Sequence, residues 1–169
     1  MVQAVSYDTA FDMVPAFAGM IADSMFTDKV SIPCGTTPVL FGAGVFADPN
    51  GRSVAPAALS ATVIWQGVAI HDHNLSGRWL PGVTGANDGY VQYDSIAVMK
   101  RGRIWARASG ACTKDAVAKF DVATGLFADA GTGTVPNARF LTANISIIGV
   151  LGTDTPHSIV MVELGDPTV

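Results

Sequence analysis

The stretch that decides the fold is Tyr90–Arg107, YVQYDSIAVMKRGRIWAR. From Asp94 to Lys100, alternate residues share a face: Asp94, Ile96, Val98 and Lys100 against Ser95, Ala97 and Met99. After Arg101-Gly102 the alternation resumes, with Arg103, Trp105 and Arg107 set against Ile104, Ala106 and Ala108. Two alternating runs around an X-Gly dipeptide predict a β-hairpin with a two-residue loop, Gly102 supplying the positive φ. In that register Val98 faces Trp105 and Met99 faces Ile104, so these four are expected to be buried. Lys100 would face Arg103, with Arg101 beside them. Three cations at one tip require either full solvation or acidic partners.

Working outward, the composition agrees with a β protein. The chain has 169 residues, 49% hydrophobic but only 14% charged, against about 25% in ordinary soluble domains. A surface so poor in charge is expected where part of it is hidden in an assembly. Eighteen Gly, nine Pro and a single Glu (Glu163) leave few strong helix formers besides Ala. A net charge of −4 and a pI near 5.1 argue against nucleic acid as a partner. The uncharged run Ser53–Ile70 is broken by Pro56, Ser60, Thr62, Gln66 and Gly67, so no membrane span is expected. No Lys or Arg occurs in the first 28 residues, so no signal-peptide n-region is expected either. Cys34 and Cys112 read as reduced thiols filling small core sites; one bridge between them is the alternative.

Residues 1–28 read as an N-terminal arm and residues 29–169 as the body. The arm carries Phe11, Phe17, Met20 and Ile21 with neither helical nor strand period, and Pro15 interrupts either. Such a segment lies across another surface, its own or a neighbour's, or forms an edge strand of the same domain. From Val30 onward short strand-like runs alternate with turn signals. Thr62–Ile70 is an expected strand whose Gly67 marks a bulge or a close backbone approach. Eight or more such runs predict an all-β fold, a jelly-roll-like barrel or sandwich with an extended N-terminal arm.

Chemistry-bearing motifs are scarce. His71-Asp72-His73 would place two imidazoles on one face of a strand, but Asn74 to Arg78 supply no carboxylate to complete a metal set. The expected role of the pair is to end a strand and bond loop backbone. There is no Gly-x-Ser-x-Gly, no His near either cysteine, and no Lys-Ser/Thr after the Gly131–Thr134 loop. Neither catalysis, a metal nor a cofactor is expected.

Several short motifs, taken in order, resemble the structural cement (capsid decoration) proteins of tailed bacteriophages. They are Gly19–Ser24, Gln66–Ile70 running into Asp72-His73, Ile96–Trp105, Phe120-Asp121 through Gly125, Val135–Thr142 and Ile159–Gly165. The resemblance implies a protein on the outer surface of the capsid, bridging major capsid protein subunits, commonly as a dimer or trimer. The capsid and partner contacts expected are Phe11, Phe17, Met20, Ile21, Lys100, Arg101 and Arg103. The competing reading is a carbohydrate-binding β-sandwich of a phage adhesin, with Trp65, Trp79, Tyr90 and Trp105 as stacking surfaces. It requires two or three of those rings exposed together.

Overall fold

A computed structural model describes residues 16–75, 88–147 and 157–165. Its strands are β1 (Ile21–Pro33), β2 (Val39–Leu40), β3 (Gly44–Ala47), β4 (Ser53–Val54), β5 (Ile64–Ala69), β6 (Gly89–Tyr90), β7 (Ser95–Ala108), β8 (Val117–Phe120), β9 (Gly133–Phe140), β10 (Ile145–Ile147) and β11 (His157–Leu164). A single helical turn, His73–Leu75, follows β5. Nine strands form one antiparallel sheet in the order β4-β3-β5-β7-β11-β9-β8, with β1 on β7 and β10 on β11; β2 and β6 pair separately. The sheet curls into a half-barrel, so the expected all-β class holds.

The hairpin expected at Arg101-Gly102 is not formed. Ser95–Ala108 is one strand of 14 residues, and Gly102 uses its φ of 121° inside it. The reason lies in partners distant in sequence. β1 pairs along Ser95–Ile104, β5 along Val98 and Met99, and β11 along Gly102–Ala108, so folding back on itself would forfeit these ladders. The switch in alternation is real but reports a change of face. Met99 and Ile104, five positions apart, enter the same core, which an unbroken period of two forbids. Val98 therefore lies opposite Val30 and Ala69, and Trp105 opposite Met161. All four residues are nonetheless buried, as expected.

Three clusters fill the fold. The largest lies within the curl and joins Phe46, Met99, Ile104, Phe120, Phe127 and Phe140. A second packs Phe41, Tyr90, Ile96, Val98 and Cys34, and a third gathers Ala16, Ala18 and Ile159 around Trp105. Backbone bonds draw the curl together. Phe127 N–H donates to Arg107 O (3.0 Å) and Gly44 N–H to Gly125 O (2.9 Å), tying the segment after β8 to β7 and β3. Gly67 shows both features expected of it. Its φ is 139°, a register shift lies opposite it, and an added Cβ would sit 2.0 Å from Met99 O. Both cysteines are free and buried, and desolvation pushes the Cys112 thiol up to about 12. The boundary expected after residue 28 falls inside β1.

Candidate functional site

The segment leading into β1 is fastened between β7 and the residues that follow β5. Gly19 N–H donates to Trp105 O (2.7 Å), Trp105 N–H to Met20 O (2.9 Å) and His71 N–H to Gly19 O (2.9 Å). Gly19 adopts φ of 81°, and a Cβ there would lie 2.6 Å from the His71 nitrogen, a spacing only glycine permits. Gly42 completes the crossing by donating to Ala69 O (2.9 Å) and accepting from Arg107 N–H (2.8 Å). Ala16–Met20 is thus a strap laid across the body.

Three of the four expected arm contacts are accordingly seated on this chain. Phe17 is 38% exposed and sets its ring against His71 (4.6 Å) and His73 (5.7 Å). Met20 packs on the Trp105 cluster and Ile21 on the main core. Phe11 lies outside the described residues. Burial and then the neighbouring His73 hold the His71 imidazole below its ordinary value, against the opposing pull of Asp88 and Asp72.

The three expected cations divide. Arg103 heads a row of directly opposed residues running Asp23, Arg103, Glu163 and Arg139 across β1, β7, β11 and β9. Arg103 Nε lies 2.9 Å from Glu163 Oε1, and Arg139 Nη2 lies 2.7 Å from Oε2; Asp23 stands 3.8 Å from Arg103. Partial burial raises the Glu163 carboxyl, but the two guanidiniums together outweigh it and hold it below its ordinary value. This row answers part of the repulsion expected at the tip. Lys100 and Arg101 are exposed and make no ion pair with any described residue. They form the cationic corner of the molecule.

Nothing local marked Glu163 as the partner of Arg103, because 60 residues separate them. Two other surface features also escaped the periodicity. Tyr93 is 86% exposed with φ of 77°, and the connection from β4 into the first residue of β5 exposes Leu59 (39%) and Ile64 (42%). Conversely, three of the four aromatic residues proposed for sugar stacking are buried in the core or packed against it. Tyr90 and Trp105 are buried, and Trp65 packs on Phe46, Phe120 and Phe127. Trp79 lies outside the described residues.

The family model of the structural cement proteins (E217 gp24/Pam3 gp6) matches residues 5–165, nearly the whole chain. The chain belongs to the phage structural cement protein family. Membership gives this cement protein a structural, capsid-stabilising role in the virion, bound to capsid components. No curated protein sequence matches the chain. Among the described residues, no helix is long and apolar enough to cross a membrane.

Proposed function

We propose that the protein binds the outer surface of the phage head and bridges neighbouring major capsid protein subunits, as a symmetric dimer or trimer. The observation that carries this is the Lys100–Arg101 corner. Its neighbour Arg103 is neutralised within the chain, while these two exposed cations make no ion pair with a described residue, although Asp28 stands opposite Arg101 on β1. In a chain of net charge −4 such a corner fits an acidic patch on a capsid subunit. Repetition over many copies multiplies a modest contact into a stabilised shell.

Phe17, Met20, Ile21 and Arg103 then act chiefly by fixing the strap and the sheet against which the partner rests. Residues 1–15, with Phe11, supply a second contact. The test is to add purified protein to heads that lack it and to measure occupancy by cryo-EM. Wild-type protein should decorate the heads. Reversing Lys100 and Arg101 to Glu should weaken attachment and leave the isolated protein's melting curve unchanged. The loss should shrink with salt as the Debye length falls from about 10 Å at 0.1 M to about 3 Å at 1 M. Equal binding of the reversed protein at every salt concentration would leave the corner merely solvated. Deleting residues 1–15 is the matching test of the arm, since removing 1–28 would also remove part of β1 and buried Ala16 and Ala18.

A further inference from the structure

From the end of β4 into the first residue of β5 the chain runs Ala55-Pro56-Ala57-Ala58-Leu59-Ser60-Ala61-Thr62-Val63-Ile64, without a charged residue. Surface connections are normally polar, yet Ala55, Ala58, Leu59, Ala61 and Ile64 are all exposed. The loop is also held in shape. Ser60 Oγ accepts from the N–H groups of Thr62 (3.2 Å) and Val63 (3.1 Å), and Ser60 N–H donates to Val63 O (3.0 Å). An exposed apolar run in a fixed conformation loses little entropy on docking.

Its position relates it to the cationic corner. β5 is antiparallel to β7, with Ala69 opposite Val98 and Val68 opposite Met99. Traced back from Val68, β5 therefore heads toward Lys100 and Arg101. Ile64 lies three residues before Gly67, which abuts Met99, and three strand residues span about 10 Å. The Ile64 end of the loop and the corner therefore fit within one side of a standard interface of about 800 Å².

The geometry points to a two-part contact, in which the Ala55–Ile64 loop seats on an uncharged, apolar patch of the capsid subunit whose acidic groups meet Lys100 and Arg101. This rests on the cement reading above and adds the chemistry of the partner surface. The absence of charge on the loop selects an uncharged counterpart, because opposing it with a charged group would desolvate that charge without a partner.

The test compares wild-type protein with the double variant Leu59→Asp/Ile64→Asp on heads lacking the protein, at low and high salt. Attachment of the variant should fall by roughly tenfold or more at both salt concentrations. The Lys100/Arg101 reversal, in contrast, should matter mainly at low salt. A milder pair, Leu59→Ser/Ile64→Thr, keeps β-compatible size at Ile64, and a lower occupancy with an unchanged melting curve supports the contact. Undiminished binding by these variants, beside wild-type decoration, overturns this inference alone. Failure of wild-type protein to decorate heads overturns the cement reading and this contact with it.

Discussion

The strap Ala16–Met20 and the loop Ala55–Ile64 are both short, uncharged and rich in alanine, but they end in opposite environments. Ala16 and Ala18 are 1% and 4% exposed, whereas Ala55, Ala58 and Ala61 stay in solvent. Hydropathy does not separate them. Their backbone partners do. The strap exchanges hydrogen bonds with His71, two residues past β5, and with β7, and glycine at positions 19 and 42 lets the chains approach closely enough to do so. The loop bonds to itself through Ser60, which orders the backbone and leaves Ala55, Ala58, Leu59, Ala61 and Ile64 in solvent while Val63 packs on the main core. Burial here follows from where the main chain finds donors and acceptors.

The largest effect expected is at Trp105, the ring beneath the strap. Trp105→Ala should cost about 3–5 kcal/mol in denaturant melts; a loss below about 1 kcal/mol would mean that the strap is not packed there. Gly19→Ala follows, at about 2–3 kcal/mol, because it combines a left-handed φ with a Cβ too near the His71 backbone. Normal stability in that variant would show that the crossing tolerates a side chain.

Acidification should loosen the strap in a defined window. The folded protein holds His71 below its ordinary 6.5, so the unfolded chain binds the proton more readily. Stability contributed by neutral His71 is present above 6.5 and declines as pH falls through the folded value. Thermal melts across that window, compared with those of His71→Gln, should show the decline only in the parent chain. Glu163 responds at lower pH. Its depressed carboxyl contributes stability above 4.5 that is lost as pH falls below it. Glu163→Gln should cost less than about 1 kcal/mol, because both arginines are 47% exposed, and less still in high salt. The smallest change belongs to the loop. Leu59→Ser should move stability by no more than about 0.5 kcal/mol, and a larger loss would mean that the loop is packed after all.

Periodicity made much of the sheet legible. It anticipated the burial of Val98, Met99, Ile104 and Trp105 and the irregularity at Gly67, since two-fold alternation and an isolated glycine each have local physical causes. It misassigned Gly102 because a face switch within one long strand and a tight turn leave the same local pattern. The candidate surface was less legible. Lys100 and Arg101 could be picked out by their crowding, but the separation of Arg103 from them depends on Glu163, brought alongside only by the β7–β11 ladder.

Composition and alternation by themselves determined an all-β chain, poor in charge, with buried thiols and a cationic cluster beside Gly102. Those properties reside in individual side chains and their spacing of two. Tertiary structure alone decided that Ser95–Ala108 runs straight through as the central strand, that Ala16–Met20 is fastened inside the fold, and that one cation of three is neutralised. Each of these depends on pairing between segments far apart in the chain, where the gain from satisfying two strand edges and burying shared apolar faces outweighs any local turn preference.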